Sequence, residues 1–209
     1  SFVRELYKEK SEFIPLHRPV FKGNEKEYLL ETIDSTFVSS VGKYVDEVEK
    51  FVSSYTDTKK AVAVVNGTSA IQVALRLSGV QQGDEVITQA LTFVATANAI
   101  TYNGAQPIFV DVDRDTMGMS PIALEEFLEE FGERREKAVF NKQTGRRIAA
   151  ILPMHTFGFM CRMHEITDIC KKWGLPIVED AAEALGSESQ GQSAGSFGLM
   201  GAFSFNGNK

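Results

Sequence analysis

Two rhythms of hydrophobic positions alternate through most of the chain. Short strand-length runs fall at residues 60–65 (KAVAVV), 85–89 (EVITQ), 106–112 (QPIFVDV), 148–153 (IAAILP) and 175–178 (LPIV). Each is too short for a helix and reads as a strand, those at 60–65 and 175–178 as buried ones. Between them the apolar residues recur every three or four positions, the spacing of a helix with one inward face. Residues 70–77 form one such helix, stopped at Gly79, and residues 91–100 a second, rich in small side chains. A third runs from Ser120-Pro121 to Phe131, with serine as cap, proline at the first helical position, and Leu124, Phe127 and Leu128 inward. The fourth spans 163–173, with Ile166, Ile169 and Cys170 inward, Lys171 and Lys172 in the last turn and Gly174 as the stop. Strand followed by helix, repeated about four times, predicts an α/β fold with a mostly parallel sheet, right-handed crossovers and helices on both faces.

The remaining segments are less regular. Residues 1–23 are charged and then punctuated by proline, which predicts an N-terminal helix or tail and an extended arm, a candidate dimer contact. Residues 24–209 form the main domain. Asn24 is a plausible cap for a helix to about Ser35, residues 37–42 read as a turn, and a helix from about Tyr44 to Tyr55 places Val45, Val48, Phe51 and Val52 on one face. Residues 132–147 read as a long loop or a short hairpin insertion.

Composition narrows the function classes. Acids outnumber Lys and Arg by 28 to 22, a net charge of −6, and no basic cluster is dense enough to follow a phosphate backbone, so nucleic acid is excluded as a partner. Cys161 and Cys170 lie outside any CxxC, and His17, His155 and His164 are not at metal-ligand spacing, so no metal is expected. Reduced thiols, no apolar run near the ~20 residues of a membrane span and a charged N-terminus predict a cytoplasmic protein.

Candidate chemistry gathers where strands end. The run at 175–178 stops in Glu179 and Asp180, and open α/β sheets bind ligands outside the carboxyl ends of their strands. The turn Asn66-Gly67-Thr68-Ser69-Ala70 offers backbone N–H groups and two hydroxyls at a helix N-terminus, a site for phosphate; on pattern alone Thr68 and Ser69 serve equally well as simple caps. Phe93 opens the next helix, where an aromatic is by default a core or staple residue. His155 ends the 148–153 strand, where a lone histidine is more often structural than an acid or base. Gly195, Gly198 and Gly201 form a GxxGxxG that follows no buried strand, so a dinucleotide site is disfavoured, and Asn206-Gly207-Asn208-Lys209 lacks the earlier glycine of a P-loop.

Glu179-Asp180-Ala181-Ala182-Glu183 together with Phe203-Ser204-Phe205-Asn206-Gly207-Asn208-Lys209 resembles the DegT/StrS-type nucleotide-sugar aminotransferases, with further agreement in Gly67-Thr68 and Thr92-Phe93-Val94-Ala95-Thr96. The resemblance implies the large domain of the fold-type-I transferases that use pyridoxal 5′-phosphate (PLP). It implies that Lys209 forms the imine with the cofactor, Asp180 pairs with its ring nitrogen, and Phe93 stacks on the ring. Gly67, Thr68, Ser69 and Ser204 would hold the phosphate, and Glu183 would lie near the ring oxygen, where many relatives carry His or Gln. It also implies a nucleotide-sugar substrate, closest to a 4-keto-6-deoxy hexose, an amino-acid donor such as glutamate, and a homodimer with shared sites. A chain that starts at Ser1 and stops after such a lysine is expected to be part of a longer polypeptide, with the small C-terminal domain absent. Two rivals stand beside this reading. One is a PLP-dependent sugar dehydratase of the same fold, in which His replaces the lysine, so that Lys209 speaks against it. The other is a non-catalytic binding or assembly protein that keeps the fold.

Overall fold

A computed structural model describes residues 2–15, 19–207 and 209. His17 lies outside the described residues. They form two compact units, one running to Gly42 and including Asn206 and Gly207, the other running from Lys43 to Phe205 with Lys209.

The first unit holds helices α1 (Phe2–Leu6) and α2 (Glu25–Ser35). Asn24 precedes α2 as expected, but its side chain donates to the Tyr28 hydroxyl at 3.4 Å and makes no capping bond. Tyr28, Leu29, Leu30 and Ile33 are all exposed.

The second unit contains the alternating elements in order. They are α3 (Lys43–Tyr55), α4 (Gly67–Leu77), β1 (Glu85–Gln89), α5 (Val94–Tyr102), β2 (Gln106–Val110), α6 (Pro121–Phe131), β3 (Gly132–Arg135), β4 (Ala138–Asn141) and β5 (Arg147–Leu152). A 3-10 turn (Thr156–Gly158) precedes α7 (Met163–Trp173), β6 (Val178–Asp180), β7 (Glu188–Ser189), β8 (Gln192–Ser193) and β9 (Met200–Ala202). The 132–147 segment is a hairpin, the second of the two forms the sequence left open.

The sheet runs β2-β1-β5-β4-β3, with β2, β1 and β5 parallel and the β3–β4 hairpin antiparallel at its edge. β5 forks the sheet. Its first residues pair with β4, at Phe140–Arg147 and Val139–Ile148, while Ile151 and the following Met154 bridge in parallel to Ile177 and Asp180. Those bridges bring β6 alongside the carboxyl half of β5, and β6 in turn pairs in parallel with β9.

Strand side chains alternate between faces, and both faces are covered. Ile87 and Ile151 face a core built with Leu124 and Leu128 of α6 and Met163 and Ile166 of α7. Their neighbours Val86 and Leu152 face the opposite core, with Ile71 and Leu75 of α4 and Ala99 and Ile100 of α5. Burying each large aliphatic side chain stabilises the fold by about 1.5–3 kcal/mol, and the buried Glu85, Thr88 and Gln89 of β1 are satisfied by hydrogen bonds instead. The helix ends follow their caps. Ser120 accepts from the Ala123 N–H ahead of α6, and Gly174 ends α7 in the left-handed region at φ 72°.

One expectation is corrected. Residues 60–65 are not a buried strand: Val62, Val64 and Val65 are exposed, Val65 at 86%. No strand pairs with this stretch among the described residues, and without a neighbour an apolar run has neither ladder hydrogen bonds nor a surface to cover it.

Candidate active site

β6 delivers two neighbouring carboxylates to opposite sides of the sheet. Asp180 is 3% exposed and faces α5. Its Oδ2 accepts from Thr96 Oγ1 at 2.6 Å, and Thr96 accepts from Thr92 Oγ1 at 2.8 Å. Among the described residues its Oδ1 receives only the Ala182 N–H, at 3.2 Å, which leaves lone-pair capacity on that oxygen. Burial pushes the Asp180 carboxyl above the usual carboxylate range, and the Thr96 hydrogen bond is the strongest pull in the other direction.

Glu179 is fully buried on the other side. Its Oε1 accepts from the N–H groups of Phe197 and Gly198, each at 2.7 Å, and its Oε2 from Gly195 N–H at 2.9 Å and faces His155 Nε2 at 3.2 Å. His155 is also fully buried. Burial works against charge on its ring, but the contacts with Cys161 and Glu179 outweigh it and raise His155 to about 9. The Cys161 N–H approaches Nδ1 at 3.3 Å, and Nε2 is the ring nitrogen turned toward Glu179. The His155 N–H meanwhile donates to the Asp180 carbonyl at 3.1 Å, so one residue grips both acids.

The other predicted residues converge on the same end of the sheet. The turn after β6, closed by Ala184 N–H to Ala181 O at 3.0 Å, presents Glu183, whose Oε1 accepts from Lys209 Nζ at 2.7 Å. Lys209 Nζ also stands 5.7 Å from the centre of the Phe93 ring. Phe93 is 63% exposed at the N-cap of α5. That is not a core position, and the ring presents its flat face at the site. The Lys209–Glu183 pair is only partly buried, so its strength is limited to about 1 kcal/mol or less and it can be exchanged for other partners.

At the start of α4 the cap is Asn66, whose Oδ1 accepts from Ser69 N–H at 2.8 Å. The capping alternative for Thr68 and Ser69 is thereby set aside. Gly67 and Thr68 are in the first turn, where backbone N–H groups have no acceptor within the helix. A Cβ at Gly67 would lie 3.1 Å from Ser204 Cβ, so the serine after β9 sits directly against this helix start. Two backbone N–H groups and the hydroxyls of Thr68, Ser69 and Ser204 therefore surround a positive helix end, a donor set that fits a phosphate. A carboxylate with a spare oxygen, a lysine and an exposed aromatic face around it fit the rest of PLP.

Several participants were not singled out from sequence. Thr92, just before α5, donates its hydroxyl to Thr96 in the first turn of that helix, a link the small-residue pattern concealed. Gln89, buried at the end of β1, accepts from the N–H groups of Met119 and Met154 and donates to Thr156 and the Leu91 carbonyl. It thus ties β1 to the end of β5, and nothing in a lone glutamine signals that role.

The fold and the site define a PLP-type transferase large domain. The chain belongs to the DegT/DnrJ/EryC1/StrS aminotransferase family, which it matches over residues 19–209. It is 41% identical over 196 residues, 94% of this chain and 48% of the relative, to "Putative pyridoxal phosphate-dependent aminotransferase EpsN" of Bacillus subtilis. It is 39% identical over 196 residues, again 94% of this chain and 48% of the relative, to GDP-perosamine synthase of Caulobacter vibrioides. Among solved structures, an aminotransferase from Psychrobacter cryohalolentis superposes with a TM-score of 0.80 at 30% identity, covering 95% of this chain and 46% of that one. The chain spans about half the length of the curated relatives it matches. No helix among the described residues is long and apolar enough to cross a membrane.

Proposed function

We propose that the polypeptide containing this chain is a PLP-dependent aminotransferase. It moves an amino group from an amino acid, glutamate by preference, to a nucleotide-linked 4-keto-6-deoxy hexose used in surface-polysaccharide synthesis. The observation that carries this reading is the convergence of Asp180, Glu183, Phe93 and Lys209 at one sheet end, beside the α4 N-terminus and Ser204. Relatives named GDP-perosamine synthase support a nucleotide-linked sugar as the acceptor, and the 4-keto position is carried by the resemblance alone.

When bound, PLP supplies a reactive carbonyl carbon and a ring that withdraws electrons from a neighbouring C–H bond. Lys209 Nζ would be the group that holds the cofactor, for which it would have to leave Glu183 and give up a proton. The free amine would be placed to hold or pass a proton at the substrate carbon. Asp180 would face the ring nitrogen with the oxygen that receives only the Ala182 N–H among the described residues, while Thr96 holds its other oxygen in place. Thr68, Ser69 and Ser204 bind the phosphate, and Phe93 covers one face of the ring. Glu183 receives the lysine when it is free. The reading also carries a cytoplasmic homodimer with shared sites, which sedimentation of the full-length protein checks.

The test is borohydride reduction of the full-length protein with PLP, followed by mass mapping. A reduced adduct on Lys209, absent in Lys209→Ala, is expected, together with a 4-amino sugar product when GDP-4-keto-6-deoxymannose and glutamate are supplied. A wild-type protein without an adduct overturns the enzyme and favours a binding or assembly role. Loss of the sugar oxygen without amination favours the dehydratase.

A further inference from the structure

The glycine triplet at 195, 198 and 201 and the buried Glu179–His155 pair have no place in the chemistry above, yet they are built around each other. Glu179 pairs in register with Gly201 across the β6–β9 ladder. Its carboxylate gathers the N–H groups of Gly195, Phe197 and Gly198 from the turn that leads into β9. The glycines make that approach possible. A Cβ at Gly201 would meet the Gly195 backbone at 2.4 Å, one at Gly198 the Ile177 carbonyl at 2.5 Å, and one at Gly195 the Phe203 ring at 2.6 Å. The turn is thus pressed against β6 on one side and against β9 and Phe203 on the other. Ser204 follows one residue later, packed on Gly67, and the strand's continuation carries Lys209 to Glu183.

We propose that Glu179 is a positioning residue for the lysine-bearing segment. Its buried carboxylate clasps the 195–198 turn so that β9 emerges beside Asp180 with Ser204 and Lys209 in reach of the site. Neighbouring acids in the sequence thereby divide the work, Asp180 facing the reaction and Glu179 holding the strand that brings the lysine to it. His155 completes the clasp, since its ring reaches Glu179 while its backbone N–H holds the Asp180 carbonyl. Three backbone N–H donors converge on this one buried carboxylate, and an amide in its place would turn N–H groups toward N–H groups.

This inference rests on Lys209 being the cofactor lysine, so the test reads the clasp and the lysine separately. In the full-length protein, Glu179→Gln is compared with wild type and with Glu179→Asp, with cooperative melting as the check of folding. Backbone hydrogen exchange at Gly195, Phe197 and Gly198 is measured without cofactor. Reduced adduct on Lys209 is measured at sub-saturating PLP. The expected result for Glu179→Gln is at least tenfold faster exchange confined to the turn and at least tenfold less adduct, with Glu179→Asp intermediate in both. Unchanged exchange overturns the clasp, and faster exchange with full adduct overturns its coupling to Lys209. Where Glu179→Gln does not fold, Gly198→Ala shifts the turn while keeping the carboxylate. Loss of adduct there supports the proposal and full adduct overturns it. A wild-type protein without any adduct overturns the proposed function and this inference together, whereas the variant results above overturn this inference alone.

Discussion

Residues 60–65 and residues 175–180 look alike in the sequence. Each is a short apolar run that leads into polar residues with candidate chemistry, and each reads as a buried parallel strand. In the structure they part. Val178 is fully buried, with β5 bridged on one side and β9 paired on the other, and both acids that follow are buried too. In the 60–65 stretch Val62, Val64 and Val65 lie open, and the Ala63 N–H is taken by the Glu49 side chain at 2.8 Å. Apolar character is therefore permission to form a strand, and a neighbouring backbone is what makes one.

That contrast is open to experiment. Ile151→Ala, at the point where β5 meets β6, should cost about 2–5 kcal/mol in denaturant unfolding, as buried aliphatic truncations do. A cost under about 1 kcal/mol would mean that the fork is not packed as described. Thr96→Val should cost about 1–3 kcal/mol and move the Asp180 carboxyl further up, because it removes the strongest pull against burial. Carbon-13 titration of the carboxyl checks it, and Thr96→Ser should restore the wild-type value. His155 provides a pH test. The folded protein holds its ring proton up to about 9, whereas the ordinary value is 6.5, so the stability from that proton is complete below 6.5 and is lost as pH rises to about 9. The melting midpoint should fall across that window in wild type and stay level in His155→Gln. The smallest effect belongs to Val65→Ala, within about 0.5 kcal/mol. A cost near that of Ile151→Ala would show that something outside the described elements covers this position.

What the sequence disclosed follows from the same physics. Helices α6 and α7 were legible because caps, stops and inward faces are local properties, and the Ser120-Pro121 start and the Gly174 stop each state their own geometry. The parallel strand at 148–153 was legible from a continuous apolar run, and the one at 85–89 from its short length after the Gly83-Asp84 turn. The fate of residues 60–65 was not, since it depends on a partner that the run itself does not encode. Within the site, Asp180, Glu183, Phe93 and Lys209 came from a family motif, and the structure gathers them. Glu179 and His155 were noted at strand ends and Thr96 within the family motif, but their roles and that of Gln89 escaped because they come from contacts across many residues of chain. Thr96 meets Asp180 only when α5 is laid against the end of β6.

The fork in β5 has a consequence for how this domain varies. The β3–β4 hairpin holds on at the amino end of the sheet, where Asn141 and Thr144 bind the Glu85 carboxylate and Phe140 pairs with Arg147. Asp180 and Lys209 lie at the other end, and no strand of the hairpin stands between β5 and the β6 bridges that lead to them. Lengthening or trimming the hairpin tip at Glu136 and Lys137 should therefore leave the placement of Asp180 and Lys209 alone, which makes that tip a place to attach a reporter.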